Sequence, residues 1–212
     1  MREFIVTVTT DASGNATVRD FGLPLAALDT HTNLTYARYG ERGLQLDLYR
    51  PKDATGALPA IVCIHGGGWF QGDRASMRPL AQALAARGFV TVTISYRLSG
   101  EEKFPAQIQD CKAAVRWLRA NAAKFGVRPD AIGVTGLSAG GHLAALLALT
   151  PNDAEFQPGF EHADTSVTAC VPFYGVYDLV EAFDPRGRAG PRGERVGDWF
   201  ARRIAWRISI ST

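Results

Sequence analysis

The stretch Ile132-Gly133-Val134-Thr135-Gly136-Leu137-Ser138-Ala139-Gly140-Gly141-His142 decides how this sequence reads. Ile132 to Thr135 has the character of a strand covered on both faces. From Ser138 a helical pattern runs through Leu143, Leu146 and Leu147 to Leu149, with Pro151 just beyond. Between strand and helix lies a Gly-x-Ser-x-Gly. On a sharp, strained turn of this kind a serine throws its hydroxyl clear of the sheet. The residues two before and two after it pack together, so only small ones fit. The helix points its N-terminus at the serine and favours negative charge that develops there. Ser138 is therefore the candidate catalytic nucleophile. The plain alternative is a chance match in a glycine-containing loop, and the strand and helix on either side speak against it.

Working back along the chain, Ala60 to Ile64 is another continuous apolar run, followed at once by His65-Gly66-Gly67-Gly68-Trp69. Three successive glycines let the backbone turn its N–H groups toward one point. A tetrahedral oxyanion needs such donors, and losing one costs roughly 3–4 kcal/mol in other enzymes. Gly67, Gly68 and the N–H of Ala139 are the candidate oxyanion hole, with Gly66 in reserve. A flexible turn or a phosphate loop is the competing reading. The phosphate reading lacks a P-loop lysine and Gly-x-Gly-x-x-Gly spacing. Trp69 and Phe70 are candidates for the substrate pocket, with a core role the alternative for each.

The remaining pattern supplies the scaffold. A mixed start from Phe4 to Val8, with turn formers Asp11, Ser13, Gly14 and Asn15, reads as a strand or hairpin. Leu34 to Tyr39, a turn at Gly40 to Gly43, and alternating Leu44, Leu46 and Leu48 read as a half-exposed antiparallel hairpin. Val90 to Ile94 and Val167 to Phe173 read as further strands. Leu80, Leu84 and Ala85 mark a helix that ends at Arg87-Gly88. Ile108, Cys111, Val115 and Leu118 mark one that begins after Pro105. Strands alternating with helices predict an α/β fold: a mostly parallel sheet with helices on both faces and an antiparallel hairpin at its N-terminal side. The division expected is an N-terminal extension over 1–33, a core over 34–180, and an irregular Arg/Gly-rich tail over 181–212. In that tail seven arginines lie between Arg186 and Arg207. Trp199, Phe200, Ile204 and Ile208 could share a helical face there.

Composition narrows the function. A 212-residue chain with 46% hydrophobic residues can bury one substantial core. A net charge of +2 disfavours a nucleic-acid partner. Cys63, Cys111 and Cys170 form neither a disulfide framework nor a zinc spacing. No segment approaches the ~18 apolar residues of a membrane span. Met1 to Thr10 lacks the form of a secretory signal, so a cytoplasmic location is expected.

The chain resembles the α/β-hydrolase superfamily, and within it the hormone-sensitive-lipase-like and bacterial feruloyl-esterase-like esterases. The resemblance rests on His65 to Trp69 with Gly72-Asp73, Ser95-Tyr96-Arg97-Leu98, Phe104-Pro105-Ala106 with Asp110, and Gly136 to His142. It extends from about Thr35 to Leu179. It implies hydrolysis of small carboxylic esters through an acyl-serine, with no metal or cofactor. It also implies that His65 holds the oxyanion loop and is not the base, and that Asp73 and Asp110 are structural.

In that fold the triad runs serine, acid, histidine. Here Asp178 is the candidate acid and His162 the candidate base; His142 stands one helical turn after the nucleophile, in a packing position. The expected C-terminal strands are missing or altered, which leaves Val167 to Phe173 as an apolar sheet edge. Two readings follow. The chain is a fragment or frame-altered product, or a partner chain covers the edge, as in a homo-oligomer. A base-less hydrolase fold with a binding or scaffold role is the competing function.

Overall fold

The computed structural model describes residues 8–10, 16–18 and 27–178. Two short strands near the start, β1 (Val8–Thr10) and β2 (Ala16–Val18), pair antiparallel as a sheet of their own. Phe4 to Thr7 and the turn formers between the strands lie outside the described residues, as does the Arg-rich segment with Trp199, Phe200, Ile204 and Ile208.

The main sheet has six strands: β3 (Leu28–Tyr39), β4 (Arg42–Pro51), β5 (Leu58–Ile64), β6 (Val90–Ile94), β7 (Val127–Leu137) and β8 (Ala169–Phe173). Their order is β3-β4-β6-β5-β7-β8. β3, β4 and β6 pair antiparallel; β6, β5, β7 and β8 are parallel to one another. The hairpin closes at Gly40-Glu41, where Tyr39 faces Arg42, so its first strand begins six residues before the expected boundary at Leu34.

That hairpin is less exposed than its alternation predicts. Leu44, Leu46 and Leu48 are buried as expected, but Asp47 and Tyr49, on the opposite face of β4, are buried too. β4 lies between β3 and β6, and helix α1 (Arg78–Ala85) packs over its second face. Tyr49 there joins Leu28, Cys63, Met77, Ala81 and Ala85 in a small second core.

The other face carries the larger core. Helices α2 (Ala106–Ala120) and α4 (Ala139–Leu149) pack there, and the short α3 (Ala122–Phe125) leads into β7. Ile108, Cys111, Val115 and Leu118 of α2 are all fully buried, as their spacing on one helical face requires.

The connections place the site. From β5 the chain crosses through α1 to β6 on one side. From β7 it crosses through α4 to β8 on the other. The direction of winding therefore reverses between β5 and β7. Open α/β sheets bind ligands outside the carboxyl ends of their strands at such a point. Ile64 is paired with Gly136, so the loop after β5 and the turn after β7 leave the sheet side by side.

Candidate active site

Ser138 links β7 to α4 with φ 55° and ψ −118°. A non-glycine residue with positive φ is a strained conformation, held only where the surroundings impose it. Here they do. The Ser138 N–H donates to the carbonyl of Phe173 at the end of β8 (3.0 Å), and the His142 N–H donates to the Ser138 carbonyl (3.0 Å). A Cβ on Gly136 would lie 2.2 Å from the Gly140 carbonyl oxygen. One on Gly140 would lie 2.2 Å from that of Ile64. The two flanking glycines allow the strand, the helix and the end of β5 to approach this closely.

The triple-glycine loop lies directly against this turn. A Cβ on Gly66 would stand 2.8 Å from the Leu137 oxygen and 3.3 Å from Ser138 Cβ. Gly67, Gly68 and Trp69 all have positive φ. The Gly67 carbonyl accepts from the N–H groups of Phe70 (3.2 Å) and Gln71 (3.1 Å), which folds the loop back on itself. Ala139 opens α4, so its N–H is one of the first-turn donors that no helical carbonyl can satisfy.

His65 is a support for this loop. Its Nδ1 donates to the Gly66 carbonyl (2.7 Å), and its ring stacks on Tyr96 with centroids 4.2 Å apart. The Tyr96 hydroxyl donates to the His65 carbonyl (3.1 Å). Burial holds the His65 pKa below the ordinary value, against the opposing pull of the Gly66 carbonyl and Asp73. Asp73 accepts from the Ala75 N–H (2.7 Å) and caps the short 3-10 turn Arg74–Met77. Asp110, fully buried, accepts from the Arg97 backbone N–H (2.8 Å) and holds its guanidinium in a fork. Both carboxylates are committed to structure. The support from Tyr96 was not assigned from sequence, although Ser95-Tyr96-Arg97 stood among the resembling motifs.

The two aromatic pocket candidates separate. Trp69 is 3% exposed, belongs to the main core, and meets the His142 ring edge-on at 5.3 Å. Phe70 is 50% exposed and is the one of the two that a ligand could touch.

The candidate triad partners, His162 and Asp178, stand on opposite sides of β8 along the chain. His142 is buried on the first turn of α4, and burial brings its pKa down to about 4. His162 is the candidate base. It is exposed in the loop that enters β8 at Ala169, opposite Gly133, whereas Ser138 follows Leu137, opposite Phe173. The intervening strand length is ~13 Å. The loop is fastened at that far end: the Gln157 side chain donates to the carbonyls of Phe160, Glu161 and Ala163, and the Thr168 N–H to that of Ile132. Asp178 lies five residues beyond β8, on the carboxyl side that Ser138 shares. Among the described residues no histidine is hydrogen-bonded to the Ser138 hydroxyl, and no group of three His, Cys, Asp or Glu side chains could hold a metal ion. No described helix is long and apolar enough to cross a membrane.

Known proteins share this arrangement. The sequence pattern of the BD-FAE family matches residues 46–204. The probable carboxylic ester hydrolase LipM of Mycobacterium tuberculosis is 47% identical over 155 residues, covering 72% of this chain and 36% of the relative. The chain spans about a third of the length of curated relatives such as this one. Among solved structures, a thermophilic esterase from Thermogutta terrifontis is similar with a TM-score of 0.65 and 31% identity, over 83% of this chain and 62% of that one. A truncated carbohydrate esterase from gut microbiota gives a TM-score of 0.65 and 33% identity, over 72% and 59%. With its strand order, its strained serine turn and its glycine loop, this chain belongs to the BD-FAE family and has the α/β-hydrolase fold.

Proposed function

We propose that the chain is a serine carboxylesterase that hydrolyses short-chain acyl esters through an acyl-Ser138 intermediate. The observation that carries this reading is the strained Ser138 turn packed against the glycine loop. Ser138 Oγ attacks the ester carbonyl carbon. The amides of Gly67, Gly68 and Ala139 donate to the oxygen as it gains charge. Collapse of the tetrahedral intermediate breaks the bond to the alkoxy oxygen, which leaves as the alcohol with the proton that Ser138 gave up; water then attacks the acyl carbon, the acid departs, and a proton from water restores the Ser138 hydroxyl. Phe70 borders the ester, and Asp178 is the candidate acid. His162 lies in the loop that enters β8, and its replacement by alanine tests whether it serves as the base. Serine chemistry of this kind requires no metal or cofactor.

Hydrolysis of p-nitrophenyl esters across acyl lengths tests the reading. Short acyl groups should react fastest, and Ser138→Ala should reduce the rate to that of buffer. Fluorophosphonate labelling should be lost with it. Hydrolysis undiminished in Ser138→Ala would sink the proposal.

A second reading concerns assembly. We infer that the chain forms a homo-oligomer through β8. Among the described strands, β8 pairs with β7 alone, and Val171 and Phe173 are exposed. An apolar edge of this kind is a template for another strand. Light scattering that found a monomer at micromolar concentration would remove this idea.

A further inference from the structure

We propose that Arg74 is a positioning residue that fixes the oxyanion loop from the end remote from Ser138. This rests on the esterase reading, in which the loop amides bind the oxyanion. The loop is a costly conformation. Gly67, Gly68, Trp69 and Gly72 all have positive φ, and for a tryptophan this is a true outlier. Such backbone persists only when it is over-determined from outside.

Both ends of the loop are fastened to one dipeptide, Ser95-Tyr96, just beyond β6. At the entry, His65 stacks on Tyr96 and receives its hydroxyl hydrogen bond. At the exit, Arg74 Nη1 donates to Ser95 Oγ (3.1 Å). The rest of the guanidinium reaches two other strands. Nε donates to Asp47 Oδ1 (3.0 Å) on β4, and Nη2 to Gln45 Oε1 (3.3 Å) on β4 and to Asn33 Oδ1 on β3. The dipeptide is itself pinned: the Ser95 N–H donates to the Gln45 carbonyl (3.0 Å), and the Tyr36 hydroxyl to the Ser95 carbonyl. The links close a ring from His65 through the loop to Arg74, Ser95, Tyr96 and back. Asp47 is a nearly buried carboxylate that also accepts from the Asn33 N–H (2.9 Å) and faces Arg78 at 3.8 Å. It supplies the fixed charge against which the fork is set. A lysine carries the same charge but cannot present a planar fork to acceptors on three elements.

The test compares Arg74→Lys and Arg74→Ala with the wild type, and with Arg128→Ala as a control for loss of an exposed ion pair. Arg74→Lys should fold, lower kcat by about 10- to 100-fold with KM held within about twofold, as expected when catalytic groups are displaced slightly. Hydrogen exchange at the amides of residues 66–70 should quicken by about tenfold or more in the same variant. Should Arg74→Ala fail to fold, Arg74→Lys alone carries the test. A merely structural role would lower Tm but leave kcat, measured well below Tm, and loop exchange at wild-type values, and that result would overturn the proposal. If wild-type protein hydrolyses no ester in a Ser138-dependent way, the esterase reading fails first. The exchange measurement still decides the role of Arg74 in holding the loop, because unchanged exchange in both variants overturns it without reference to turnover.

Discussion

Gly140 has no room for a methyl group: its added Cβ would meet backbone oxygens of Ile64 and His65 at 2.2 and 2.5 Å. Backbone cannot swing aside as a flexible side chain can. Gly140→Ala should therefore cost about 3 kcal/mol or more in a denaturant melt. Gly40→Ala, with open space but a φ of 58°, should cost only about 1 kcal/mol. His162→Ala should leave ester hydrolysis unchanged, since the residue sits a strand length from the nucleophile. The serine turn and the glycine loop were legible in the sequence because their chemistry is local: steric need fixes residue types at fixed spacings. The partners of Ser138 were not. Whether a histidine reaches the serine depends on which end of a strand its loop joins, and residue type alone does not show that. Trp69 shows the same limit, since an aromatic beside a glycine loop suits a pocket and a core equally well.

At the scale of the element, α4 carries a buried titratable group that links its stability to pH. Burial lowers the folded-state pKa of His142 to about 4, and among the described residues its Nδ1 has no hydrogen-bond partner. The unfolded chain has an ordinary histidine pKa near ~6.5. Between these values the unfolded state binds the proton and the folded state does not. The stabilisation from neutral His142 is thus complete above about pH 6.5, and it is lost progressively as pH falls toward about 4. Its full size is on the order of 3 kcal/mol. A Tm profile from pH 7.5 to 4 should slope downward in the wild type and be flatter in His142→Asn. Parallel profiles would show that His142 contributes no linkage; His65, also depressed by burial, adds a slope common to both proteins. The helices and parallel strands were readable from periodicity. The burial of Asp47 on β4 was not, because an alternating strand with charge on one face looks solvated until a neighbour is known to cover it. Arg74 and Arg78 are that cover.

At the scale of the whole molecule, the two faces of the sheet are unequally clothed among the described residues. One is packed by α2 and α4. On the other, α1 reaches only part of the parallel strands. It leaves an apolar cavity of about 180 Å³ among Ile61, Leu80, Leu84, Thr135, Val171 and Phe173. Apolar hollows of this kind hold hydrophobic dyes. Anilinonaphthalenesulfonate fluorescence should rise with the native chain and drop with Val171→Lys, which puts a charge at its rim. An equal signal from both proteins would place the dye elsewhere.

The hydrogen bond from Ser138 to Phe173 imposes an order of events as the chain emerges from a ribosome. The contacts of the turn with Ile64, Gly140 and His142 involve chain already made when the helix behind it forms, but this one waits for a strand that is synthesised 35 residues later. The serine turn therefore gains this restraint late, and a nascent chain that ends before Phe173 carries the motif without it.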